Sequence, residues 1–208
     1  MVNRGKSSLR HMTDKSQLYT IGYSPHTLKG FVDLLKRFQV TALADVRSKP
    51  YSAYRPEFNH KNLKKILPEQ GIDHIFLGRE VGARYEDQSV YVQGRADYEL
   101  ISRHELFKQG LQRLRQEVKL HTLVLMCAEK EPLHCHRTIL ISRHLKNEVQ
   151  IQHILADATV ESHQDTEQRL LALYDLIRPE LPGLEQSRQA RLDKAYLKQG
   201  RKIAWRAY

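Results

Sequence analysis

The densest chemistry in the chain is the run Cys127-Ala128-Glu129-Lys130-Glu131-Pro132-Leu133-His134-Cys135-His136-Arg137. Two thiols bracket a carboxylate, Glu129, and a Cys-His-Arg triplet closes the run at the expected start of a helix. Three chemistries fit these residue types. Cys135 or Cys127 would serve as a nucleophile with a neighbouring histidine as base. The two cysteines with His134 or His136 would hold a metal such as zinc. The helix start with Arg137 would hold a phosphate. A fourth, plainer reading makes Cys127 a small packing residue at the end of an apolar strand, a common place for a free cysteine. The ligand spacings match no standard zinc module, so no metal site is expected. Cys135, at a helix N-terminus beside His136 and Arg137, is expected to be the more reactive thiol, with Cys127 shielded.

Other segments carry groups that suit an anionic substrate. In Asp45-Val46-Arg47-Ser48 a carboxylate and a guanidinium stand two apart on an extended chain, so they face the same side. They share a site or pair with each other; the arginine fork suits phosphate or carboxylate. Lys49, Tyr51, Tyr54 and Arg55 follow at once. The run Leu77-Gly78-Arg79-Glu80-Val81-Gly82-Ala83-Arg84 combines two arginines with glycines that let backbone approach a ligand. Gly22-Tyr23-Ser24 offers backbone N–H groups before a helix, with Ser24 as the expected N-cap and Pro25 at the first helical position. His153, in an alternating strand, is expected as a core residue or as a neighbour of the Cys-His-Arg loop. The candidate catalytic residues are therefore Asp45, Glu129, Cys135 and His136, with Cys135 as the nucleophile. The candidate anion ligands are Arg47, Ser48, Arg79, Arg84 and Arg137.

These groups need elements to position them. Short apolar runs at 18–22, 40–46, 72–77, 122–127 and 149–155 read as strands. Between them, apolar residues at helical spacing mark helices, as in Leu28, Phe31, Leu34, Leu35 and Phe38, or Leu106, Leu111, Leu114 and Val118. Strands alternating with helices predict an α/β fold: a three-layer domain with a mainly parallel sheet of about five strands and helices on both faces. Ligands of such sheets bind outside the carboxyl ends of the strands, where the motifs above fall. Residues 78–98 form a long polar loop, a length that is usually functional.

The chain has 208 residues and a formal net charge of +10. The charge is uneven: residues 1–17 carry a net +3, residues 186–208 a net +6, and the stretch between them a net +1. The expected organisation is a basic N-terminal tail (1–17), one α/β domain (18–177) and a basic C-terminal tail (178–208). Such tails either solubilise or grip a polyanion, so a nucleic acid or nucleotide is the expected partner. Trp205 and Tyr208 either stack on bases or pack the tail onto the body. Two cysteines are too few for a disulfide scaffold, the longest apolar run is six residues, and the N-terminal stretch has no signal-peptide pattern. The cytoplasm is the expected compartment, with no membrane partner. No cofactor is indicated.

The chain resembles the family catalogued as domain of unknown function 488. The resemblance rests on IGYS at 21–24, DVRSKPYS at 45–52, RPEFN at 55–59, LGREVGAR at 77–84, MCAEKEPLHCHR at 126–137 and HILADATVESH at 153–163. One departure is Ala158, where the family pattern usually has glycine. The resemblance implies a cytoplasmic α/β domain without an established activity. A fainter likeness to rhodanese and phosphatase architectures stops at Leu133, where those enzymes place an arginine of their anion loop. The expected function is an enzyme or binding domain for a phosphate-bearing substrate. The alternatives are a nucleic-acid-binding module acting through its tails and a cysteine-based metal- or redox-sensing domain.

Overall fold

The computed structural model describes residues 16–178 and 187–206. Five strands run parallel: β1 (Gln17–Gly22), β2 (Ala42–Asp45), β3 (Asp73–Phe76), β6 (Leu123–Cys127) and β7 (Gln150–Ile154). A sixth, β8 (Val160–Ser162), pairs antiparallel with β7 and closes one edge. The sheet order is β3-β2-β6-β1-β7-β8. The polar 78–98 segment holds a small hairpin of its own, β4 (Tyr91–Val92) and β5 (Arg95–Ala96).

Alternation along the strands builds two cores. Leu43, Val124 and Met126 point to one face, where α1 (Leu28–Arg37) and α2 (His60–Glu69) pack through Phe31, Leu35, Leu63 and Leu67. Ala42, Ala44, Leu123 and Leu125 point to the other. There they meet α3 (Tyr98–Arg103), α4 (Glu105–Leu120), α6 (His163–Leu173) and α7 (Arg188–Ile203). The same face takes a helix wound as a π-helix over Arg137–Ser142 that continues as α5 (Arg143–Leu145). The expected three-layer α/β fold is present, with one more strand than the five expected. No helix among the described residues is long and apolar enough to cross a membrane.

Two local expectations change. Helix α1 starts at Leu28, with Thr27 rather than Ser24 as its cap; Thr27 Oγ1 accepts from the Gly30 N–H at 3.1 Å. The reason is that Tyr23 and Ser24 donate their N–H groups to the Cys127 and Ala128 carbonyls, which leaves neither for an anion. At the other end of the chain, residues 188–203 belonged to the expected basic tail. They form α7 instead, which buries Leu192, Ala195, Tyr196 and Gln199 and leaves Arg188, Lys198, Arg201 and Lys202 exposed. Residues 1–15 of the N-terminal tail and Tyr208 lie outside the described residues, and Gln17 already belongs to β1.

A buried polar chain ties α6 and α7 to the sheet. Arg137 Nε approaches Thr20 Oγ1 at 3.3 Å, and Thr20 meets His153 Nδ1 at 2.8 Å. His153 Nε2 meets His163 Nδ1 at 3.0 Å, and His163 Nε2 meets the Tyr196 hydroxyl at 3.0 Å. That hydroxyl donates to Glu167, which Lys146 also binds. One proton per link satisfies the whole chain if both imidazoles are neutral and each donates from Nε2. His153 is thus a core residue. Burial lowers the pKa of both histidines, that of His163 to about 4.

Because the folded value for His163 lies below the unfolded one, the unfolded chain binds the proton first, and stability falls as pH drops from about 6.5 towards 4. We expect His163 alone to remove about 3 kcal/mol across that window. Urea denaturation at pH 7 and pH 4.5 should show the loss in the wild type and a much shallower slope in His163→Gln; equal slopes would refute it. A second expectation concerns Ala158, which sits at φ 65°. That conformation is costly for a side chain, so Ala158→Gly should stabilise the fold by about 0.5–1 kcal/mol, read as a higher denaturation midpoint.

Candidate functional site

Because β6 lies between β1 and β2, the loops that leave these three strands meet at one edge of the sheet. They enclose a cleft of about 350 Å³. Its floor holds Cys127, Glu129 and His136; Arg47, Ser48 and Lys49 form one wall and Arg84, Tyr98 and Trp205 another. Gly22 permits the close approach. A side chain there would strike the Glu129 carbonyl, at 1.9 Å from a Cβ, so only glycine lets the 128–130 loop lie against β1.

The expected residues divide into three groups. Arg47, Ser48, Arg84, Glu129 and His136 line the cleft, and Cys135 lies just behind them. Asp45 is fully buried and does not reach it. Both of its oxygens accept from Arg47, at 2.8 and 2.7 Å. Burial opposes its ionisation, but the Arg47 hydrogen bonds and charge hold its carboxyl below the usual value. Its place is therefore that of a positioning residue. Arg47 also donates to the Phe58 carbonyl and lies over the Tyr23 ring, which leaves Nη1 as its one nitrogen without a partner.

Arg79 is exposed and does not line the cleft. Arg137 departs furthest from the expected role of anion ligand. It is 0% exposed, and its guanidinium donates to the Glu129 and Lys130 carbonyls, at 2.5 and 3.4 Å, and to Thr20. It braces the loop from beneath because its position in the first turn of the helix aims it under the strand-to-helix connection.

Cys127 ends β6, Cys135 caps the short turn after Pro132, and the two thiols meet beside Glu129. Glu129 Oε2 accepts from Cys127 at 2.9 Å and from Cys135 at 3.1 Å. His136 Nδ1 lies 3.7 Å from the Cys127 sulfur and 3.8 Å from that of Cys135. The other imidazole nitrogen, Nε2, lies 2.9 Å from the Val46 carbonyl, which can only accept. That bond puts a proton on Nε2 and aims Nδ1 at the sulfurs; burial opposes a second proton on the ring, but Cys135 and Glu129 prevail and raise the His136 pKa.

The hydrogen bond that Cys127 donates to Cys135, together with burial, raises the Cys127 pKa. Burial works against a Cys135 thiolate, but the Cys127 thiol and the charges of Arg137 and His136 prevail and lower its value. Burial and the adjacent Cys135 raise Glu129. The thiol that faces the cleft is thus the one that keeps its proton. The thiolate-prone sulfur, 1% exposed, is the covered one, an arrangement that does not favour Cys135 as a nucleophile.

Among the described residues, two groups of side chains bring three donor atoms within 4.8 Å of one another: Cys127, Cys135 and His136, and Asp45, His60 and His74. In the second, Arg47 already occupies both Asp45 oxygens and sets a cation beside them. In the first, the hydrogen-bond partner shared by both sulfurs is a carboxylate, Glu129, rather than a guanidinium.

The family model for the domain of unknown function DUF488 matches residues 27–144. The chain belongs to this family. No curated protein and no solved structure matches the chain. The matched stretch holds Asp45, Arg47, Arg84 and the whole 127–137 run, whereas α7 and Trp205 lie beyond it.

Of the lining residues, Tyr98 and Ile203 were not expected in the site, and Cys127, Tyr23 and Trp205 entered the sequence reading only in alternative roles. Trp205 carried a hint, an aromatic among charges; Tyr98 carried none. Trp205 is packed back onto the body, between Arg84 at 5.2 Å and the Tyr91 ring at 6.0 Å, and its carbonyl accepts from the Ala96 N–H.

Removing the Arg137 brace should loosen the floor. Arg137→Met leaves two carbonyls without donors and should cost about 3 kcal/mol, read by chemical denaturation. A loss below 1 kcal/mol would mean that the loop holds itself.

Proposed function

We propose that this protein is an enzyme that acts on a phosphate-bearing substrate, a nucleotide or a strand of nucleic acid, bound in the cleft between the β1, β2 and β6 loops. The observation that carries the reading is a buried, proton-sharing cluster on the floor of an open cleft whose rim is cationic and aromatic. Arg84 and Lys49 supply charge for a phosphate, with the free Nη1 of Arg47 behind them. Tyr51, 73% exposed, and Trp205 offer faces on which a base stacks. Glu129, with its pKa raised by burial and by the adjacent Cys135, is the carboxyl placed to exchange a proton with a bound substrate. The working unit is a single domain, residues 16–178 together with α7 and the segment after it, since Ile203 at the end of α7 and Trp205 just beyond it line the cleft.

One feature favours a strand over a lone nucleotide. A second groove, of about 730 Å³ and lined by Arg95, Arg201 and Arg206, borders the cleft across the Ala96–Trp205 hydrogen bond. Two of these arginines come from the C-terminal segment, Arg201 from the last turn of α7 and Arg206 just beyond it, and Arg95 comes from β5. This groove would lead the phosphate backbone away from the floor.

Fluorescence anisotropy with a labelled single-stranded oligonucleotide tests the reading. Affinity should fall with salt, and Arg84→Ala and Trp205→Ala should each weaken it about tenfold, the usual scale of one phosphate or stacking contact. Glu129→Gln should bind as the wild type does while losing any product detected by mass spectrometry. Affinity unchanged in both rim variants would remove the cleft from substrate binding.

A further inference from the structure

We propose that Cys127 Sγ, Cys135 Sγ and His136 Nδ1 are the three protein ligands of a divalent metal site of the zinc class, with its fourth position open to the cleft. The spacing argument against zinc fails because it assumes a local ligand loop. Here the ligands come from a strand end and a helix start, which the Arg137 brace folds back on each other. All three donor atoms lie within 4.8 Å of one another, and the two sulfur–nitrogen edges match a tetrahedral ion. Zn–S near 2.3 Å and Zn–N near 2.0–2.1 Å give a tetrahedral S···N edge of about 3.6 Å. The two edges here are 3.7 and 3.8 Å.

The second observation is independent of the first. The His136 Nε2–H donates to the Val46 carbonyl at 2.9 Å, which fixes the ring so that Nδ1 is the nitrogen turned to the two sulfurs. A ligating imidazole is ordinarily held in this way by a backbone carbonyl or carboxylate behind it. The donor set, two sulfurs and an imidazole, is one that zinc favours over calcium or magnesium. The site is also open on one side only. Cys127 and His136 line the cleft, while Cys135 closes the back. Three protein ligands with one open position is the pattern of zinc sites that activate water.

The charge and proton balance is simple. A divalent ion with two thiolates and a neutral imidazole is neutral overall, which suits a buried floor. Coordination releases two protons from the set formed by Cys127, Cys135 and His136, whichever of the three holds them beforehand. Glu129 then loses the two S–H donors it accepts from in the metal-free arrangement, and its carboxyl becomes available to a water in the open position. This deepens the enzyme reading but does not depend on it, because metal binding is measured without substrate.

The test uses the full chain, stripped with a chelator and titrated with cobalt(II) alone. One equivalent should bind, with a thiolate-to-cobalt charge-transfer band and the visible bands of a tetrahedral ion, and zinc should displace it. Cys127→Ser, Cys135→Ser and His136→Ala should each weaken binding about 100-fold or more. His74→Ala, in the other donor cluster, should leave the stoichiometry unchanged. Circular dichroism checks that each variant folds. If a cysteine variant does not fold, the wild type decides: zinc should protect both thiols from alkylation and release two protons in weakly buffered solution. Substoichiometric cobalt, a spectrum without the thiolate band, or thiols that alkylate at the same rate with and without zinc would overturn the proposal. Metal binding with no oligonucleotide affinity would keep the metal site and retire the substrate reading.

Discussion

The Arg137 guanidinium has no water to solvate it, so it must find acceptors inside the protein, and those it finds belong to the loop above it. Its bonds to the Glu129 and Lys130 carbonyls and to Thr20 hold the strand-to-helix connection against β1. Gly22 completes the arrangement by offering no side chain at the point of contact. Everything on the cleft floor follows from this clamp. It sets the direction in which Glu129 leaves the strand, and it brings Cys135 back beside Cys127. An unpaired charge at that depth would be severely destabilising, so clamp and loop conformation stand or fall together.

Topology explains why the site lies where it does. The chain lays down β1 and then β2 with a gap between them, and β6 fills the gap later. Parallel strands end on the same edge, so the loops after β1, β2 and β6 become neighbours although they are far apart in sequence. The Asp45–Arg47 pair is a second clamp on that edge. It satisfies the buried carboxylate and carries the Phe58 turn and the Tyr23 ring with it. A residue that looks like an acid catalyst at the end of a strand thus becomes the anchor of its neighbour.

The charge of the molecule divides along the same lines. Buried guanidinium groups, those of Arg47 and Arg137, are tied to internal acceptors. Those of the rim and of α7, such as Arg84, Arg201 and Arg206, face outward around the cleft and the adjoining groove. Helix α7 reaches this position through apolar and polar contacts together. Leu192 and Ala195 enter the core, Tyr196 joins the buried histidine chain, and Gln199 donates to the Leu133 carbonyl.

The sequence by itself determined the layers. Alternation in Ala42–Asp45 and Leu123–Cys127, and helical spacing in Leu28–Arg37 and Glu105–Leu120, are local records of burial, so they are legible without a partner in view. It also determined that chemistry lies at strand ends, and that DVRS and the 127–137 run belong to one edge. Only the tertiary structure decided which cations are free. Arg79, Arg84 and Arg137 look alike as residue types, and what separates them is whether distant carbonyls surround the side chain. The same holds for the thiols. Cys127 and Cys135 read as a strand-end packing residue and a helix-start nucleophile, and the loop that makes them partners is set by a guanidinium and a glycine elsewhere in the chain. Helix α7 was hidden by its composition: six cations on a helix resemble a solvated tail, and the apolar stripe beneath them gains meaning only from the surface that receives it.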